Sequence, residues 1–139
     1  MRARVKWLEG VAFVGESESG HAVVMDGAPD AGGHNLGFRP MEMLLLGLGG
    51  CASFDVVLIL QRGRHAVTDC VVELEAERAP EPPRVFTRIH ARFIVTGKGI
   101  PESAVRRAVQ LSAEKYCSAT LMLGKTAAMS HDFEVVEAP

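Results

Sequence analysis

RPMEMLLLGLGGCASFDVVLILQRG, residues 39–63, is the stretch whose reading decides the fold. It predicts one long helix. Pro40 suits a first helical position, where a missing N–H costs nothing, and Glu42 sets a negative charge near the positive end of the helix dipole. Arg62 and Arg64 place positive charge at the other end, and Gly63 is a natural stop. At 1.5 Å per residue the helix runs roughly 34 Å. Nearly every residue in it is apolar or small, with Cys51 near the middle, and a helix apolar all round has to be covered. Its uncharged centre, residues 43–54, is twelve residues long, against the roughly twenty that a bilayer span needs. The cover expected is therefore sheet or a second subunit, with no membrane partner.

On the N-terminal side, Arg2, Arg4 and Lys6 alternate with Ala3, Val5 and Trp7, the period-two pattern of a half-buried strand. Short strands are expected at Val11–Gly15 and His21–Met25, joined by the polar turn Glu16–Gly20. Asp26–Gly37, DGAPDAGGHNLG, is dense in turn formers and reads as a loop.

On the C-terminal side a hairpin is written in the charges. Cys70, Val72, Leu74 and Ala76 share one face of the first strand, and Val71, Glu73, Glu75 and Glu77 the other. After the break at Pro80–Pro83, the returning strand puts Val85, Thr87, Ile89, Ala91, Phe93 and Val95 on one face and Arg88, His90 and Arg92 on the other. Pairing Glu73 with Arg92, Glu75 with His90 and Glu77 with Arg88 keeps one antiparallel register, which opposite charges favour. These charges mark a solvated sheet face. Pro101 and Glu102 open a second helix with the stripe Val105, Ala108, Val109, Ser112 and Tyr116. Cys117 closes it, Ser118 caps a further turn over Ala119–Leu123, and Ala127–Glu137 alternates as a last strand. The order implies a single α+β domain over residues 1–139 with antiparallel sheet.

Composition narrows the function classes. Fifteen basic and seventeen acidic residues form no block of like charge, so a nucleic-acid footprint is absent. The N-terminus lacks an apolar run after its charges, which leads to a cytoplasmic expectation. Three cysteines without a CxxC or Cys/His cluster argue against a disulfide framework and a zinc site, leaving thiol chemistry in a reducing compartment. No cofactor and no metal are expected.

Cys70, on the apolar face of the hairpin, reads as an inert packed thiol. Cys51 taken alone is also accounted for as a small buried hydrophobe. Cys117 differs, because backbone N–H groups of the following helical turn could stabilise its thiolate. Asp55 lies about 40° from Cys51 around the helix. A bare carboxylate there raises a thiol's pKa, so activation of Cys51 requires a cation from elsewhere.

Pro-x-Glu-Met-Leu-Leu running through Gly-Gly-Cys at 40–51, with Glu-Lys-Tyr-Cys-Ser at 114–118, resembles the OsmC/Ohr family of osmotically inducible and organic hydroperoxide resistance proteins, its YhfA-like subgroup above all. The resemblance spans nearly the whole chain. It implies an OsmC-like fold of antiparallel sheets around a long central buried helix, in an intertwined homodimer. It also implies a thiol peroxidase in which Cys51 attacks an organic hydroperoxide, Cys117 resolves the sulfenic acid as a disulfide, and a dithiol reductant of lipoyl type restores both. Met41, Met43, Leu44 and Phe54 would line the site. Two positions depart from the peroxidase pattern. Met41 stands where the family glutamate would follow the proline, and Glu42, nine residues before Cys51, falls about 180° away on the helix. The N-terminal turn Glu16–His21 carries no arginine, leaving Arg39 as the nearest cation in sequence. Arg39, Glu42 and Asp55 are thus the candidate supporting residues. Two other readings stay open: a non-enzymatic dimer binding a small hydrophobic ligand, and a peroxide sensor without turnover.

Overall fold

Alternation and turn chemistry build the first element as a three-stranded antiparallel meander: β1 (Ala3–Glu9), β2 (Ala12–Ser17) and β3 (Ala22–Met25). Gly10, at φ 52°, makes the first turn, and Trp7 Nε1 donates to its carbonyl at 2.9 Å. The computed structural model describes residues 1–139, which fall into two compact units, Met1–Leu46 and Gly47–Pro139.

In the first unit the expected half-burial of β1 is not met. Every residue of the strand is exposed, Val5 at 61% and Trp7 at 60%. Period two gives a strand two distinct faces, and burying one of them takes a second layer.

The loop after β3 is held by a buried acid. Asp26, 2% exposed, accepts backbone N–H bonds from Gly27 (2.8 Å), His34 (2.9 Å) and Leu36 (3.2 Å). The bonds from His34 and Leu36 chiefly hold its carboxyl below the ordinary 3.8. The chain folds so tightly here that a Cβ on Gly33 would sit 1.7 Å from the Gly27 carbonyl oxygen.

Helix α1 (Pro40–Arg62) matches the expected span. Its start carries one half of a capping box: Glu42 Oε1 accepts from Arg39 N–H at 2.7 Å. Its length and composition would suffice to cross a bilayer. The burial expected all round is corrected to one stripe. Leu48, Ala52, Val56 and Leu60, each one turn apart, are buried with Gly49, while Leu44, Leu46 and Phe54 stay half-exposed or more.

The second unit continues through β4 (Ala66–Arg78), β5 (Phe86–Lys98), α2 (Glu102–Leu111), a single π turn at Ser112–Tyr116, α3 (Ser118–Leu123) and β6 (Ala128–Glu137). The β4–β5 register is the one the charges specify, with Glu73 opposite Arg92, Glu75 opposite His90 and Glu77 opposite Arg88. Register shifts near both ends of the hairpin change the parity. Phe86, and not Val85 or Thr87, is therefore buried beside Ile89. Gly49 permits close helix–strand approach, since a Cβ there would stand 2.7 Å from Leu74 Cδ1.

The expectation of an all-antiparallel sheet is corrected by β6, which pairs with β5 in parallel. The return through α2 and α3 is a helical crossover, the connection that parallel neighbours require. The fold is mixed α+β, with two small sheets and three helices. β6 also takes over the charges of β5. Arg92 bonds Asp132 (2.7 Å) and Glu134 (3.0 Å), and His90 meets Ser130 and Asp132. Of the three cross-strand pairs read from sequence, Glu77–Arg88 is the one in ion-pair contact, at 3.3 Å.

Candidate thiol site

Cys51 and Asp55 are four residues apart on α1, so their side chains leave the helix on one face, a turn apart. The third member arrives from the other end of the unit. The π turn closes with the Cys117 N–H donating to the Ser112 carbonyl at 2.9 Å. Its widened geometry leaves Tyr116 half-exposed, off the stripe assigned to it, and Cys117 fully buried. The two sulfurs and an Asp55 carboxylate oxygen all lie within 4.8 Å of one another.

The surroundings divide the roles. Cys117 is the N-cap of α3, and its Sγ accepts from the Thr120 N–H at 3.4 Å, the helix-end contact that the sequence suggested. Burial nevertheless pushes the Cys117 thiol up; the Thr120 N–H offsets only part of this, and the neighbouring Cys51 sulfur pushes it further. Cys51 is the less buried of the two thiols. Ser112, 1% exposed, donates from Oγ to Asp55 Oδ2 at 3.1 Å, with the Ala52 carbonyl 3.4 Å away. Sequence reading placed Ser112 only on an apolar stripe, and a hydroxyl in such a stripe was the signal that it serves a buried polar partner.

A cavity of about 210 Å³ adjoins this cluster, lined by Leu48, Ala52, Leu74, Phe93, Ser112 and Thr120 among others. Phe54, expected in the site lining, is 67% exposed and lines a separate groove with Gly50, Leu58 and Cys70. The remaining candidates belong to the first unit. Arg39 holds Asn35 Oδ1 (3.0 Å) and the Gly37 carbonyl (3.2 Å), and Glu42 is spent on the helix cap. Cys70, half-buried and beside Asp69, has its thiol raised chiefly by burial; it stays apart from the cluster.

A family model described as OsmC-like protein matches residues 33–132. The chain belongs to the OsmC-like family. It is 54% identical to Protein YhfA of Escherichia coli (strain K12) over 141 aligned positions, covering 99% of this chain and all of that one. Among solved structures, a hypothetical protein from Aquifex aeolicus VF5 superposes with a TM-score of 0.87 at 26% identity, over 99% and 97% of the two chains. The organic hydroperoxide resistance protein OhrB of Bacillus subtilis shares the fold, with a TM-score of 0.65 at 16% identity over 96% and 98%.

Proposed function

We propose that this OsmC-like protein is a cytoplasmic, cysteine-based peroxidase for organic hydroperoxides. The observation that carries the reading is the pair of sulfurs within 4.8 Å of one another, one partly accessible and one fully buried. The Cys51 thiolate attacks the terminal peroxide oxygen; the O–O bond breaks, the alkoxide leaves and takes a proton as the alcohol, and Cys51 becomes a sulfenic acid. Cys117 attacks that sulfur, water departs, and a disulfide remains. A small dithiol of lipoyl type reduces it, taking up the oxidation as its own disulfide. The apolar cavity beside Ser112 and Thr120 suits an alkyl or aryl hydroperoxide better than hydrogen peroxide.

The same reading includes a homodimer. The exposed apolar side chains Val5, Trp7, Leu8, Leu44 and Leu46 of the first unit are what a second copy of the chain would cover. Gly47 and Gly50 face open space on α1, which leaves room for a close helix neighbour.

Rapid-mixing measurement of cumene hydroperoxide consumption, followed by mass analysis of the Cys51–Cys117 peptide pair, tests the chemistry. Cys51→Ser should abolish consumption, and Cys117→Ser should stop at the sulfenic acid without the intramolecular disulfide. Equal consumption by wild type and Cys51→Ser would overturn the reading. The cavity also favours a second reading, retention of a small hydrophobic ligand without turnover. A co-purifying acyl or aromatic compound, with no peroxide-driven disulfide, would establish that instead.

A further inference from the structure

We infer that the reduced protein holds one thiophilic divalent metal ion, of the zinc or cadmium class, on Cys51, Asp55 and Cys117. The three donor atoms already converge within 4.8 Å of one another. With zinc–sulfur bonds of about 2.3 Å, a tetrahedral ion sets its sulfurs about 3.8 Å apart. Donor atoms within 4.8 Å of one another are compatible with that separation.

Four features of the cluster fit a cation. Cys51 and Asp55 present two donors from one helical turn, and Cys117 supplies the third from a separate element, so the set closes on a point and not along a line. Ser112 pins Asp55 through Oδ2 and leaves Oδ1 free, the kind of outer contact that orients a metal-binding carboxylate. The Thr120 N–H lies on the Cys117 sulfur, where it offsets thiolate charge. Asp55 takes part in none of the ion pairs of the chain. Two thiols and an uncompensated carboxylate therefore meet where a soft divalent cation would neutralise them. Two thiolates select such an ion over magnesium or calcium. Three protein donors leave a fourth position for water or a small ligand. Binding releases the two thiol protons to solvent as the two metal–sulfur bonds form. The sequence spacing of 66 residues between the cysteines hid the set, which the π turn and the α3 cap assemble.

The test is titration of the full-length reduced protein, in a Cys70→Ser background, with cadmium ion alone. The readouts are the ultraviolet cadmium–thiolate charge-transfer band and proton release. One ion per chain and two protons per ion are expected. Cys51→Ser or Cys117→Ser should remove the band, and Ser112→Ala should weaken binding by about tenfold. Asp55→Asn should weaken it at least as much. X-ray absorption of the cadmium-loaded protein, which needs no variant, should show two sulfur neighbours with the rest oxygen. Absence of the band, its persistence in Cys51→Ser, or undiminished affinity in Asp55→Asn would each overturn the three-donor site. The inference does not rest on peroxide chemistry. Peroxide turnover without a cadmium band breaks the metal site alone, and a band without turnover breaks the peroxidase reading alone.

Discussion

Residues 1–46 and 47–139 are built on opposite economies of burial. Of sixteen buried apolar residues, fifteen lie in the second unit, including Ile89, Val95, Val105 and Val109 at 1% exposure or less; the first unit contributes Ala12. The second unit is held by a packed core. The first is held by ladder hydrogen bonds and by Asp26 gathering three backbone N–H groups, while Val5, Trp7 and Leu8 stay in water. A three-stranded sheet whose first strand is exposed throughout is marginal on its own. The difference marks β1 as the strand that the proposed second copy of the chain would cover.

The largest test of that contrast is a matched pair of truncations. Ile89→Ala should cost about 2–5 kcal/mol in denaturant unfolding, the range for emptying a tight core site. Val5→Ala, measured in dilute protein below any dimer association, should stay within about 0.5 kcal/mol. Equal losses would erase the distinction.

Trp7→Ala comes next. If β1 is an interface strand, removing a central tryptophan should weaken self-association by about 2 kcal/mol or more, roughly 30-fold in dissociation constant. Sedimentation equilibrium reads this directly, and an unchanged constant would return β1 to solvent.

The two units should also respond to opposite ends of the pH scale. Asp26 has its carboxyl lowered from 3.8, so its contribution is present above that value and lost as pH falls through the lowered one. Cys117 has its thiol raised from 9.0, chiefly by burial. Its environment favours folding below that value and loses the advantage as pH rises toward the raised one. Amide exchange should therefore show residues 26–37 opening first in acid, and residues around 112–120 first in alkali. Asp26→Asn should remove the acid response and Cys117→Ser the alkaline one.

The smallest effect belongs to the charges most visible in the sequence. Arg88→Gln breaks the exposed Glu77 pair and should change stability by less than about 1 kcal/mol. A larger loss, measured by thermal unfolding, would show that the outer sheet face is itself covered.

Those same charges show what was readable. The Glu73–Arg92, Glu75–His90 and Glu77–Arg88 register came out of residue identity, because period two and charge pairing act between adjacent strands. Contact was another matter: Arg92 and His90 turned to Asp132 on β6, whose parallel direction no local pattern encodes. α1 was legible from Pro40 and Glu42 to Gly63, since capping and apolarity are local properties. Which stripe of it is buried was not, because that depends on the strand it meets.

The sequence by itself determined the elements and the hairpin register, since each follows from neighbours a few residues apart or from one strand facing the next, and its resemblance to the OsmC/Ohr family singled out Cys51 and Cys117. Only the tertiary structure decided that β6 runs parallel, that Arg39 and Glu42 serve the loop and cap before α1, that Asp55 and Cys117 meet Cys51, and that Ser112 bonds Asp55. Those outcomes depend on a helical crossover and a π turn, which bring residues about sixty positions apart into contact, and no local pattern specifies where such a chain returns.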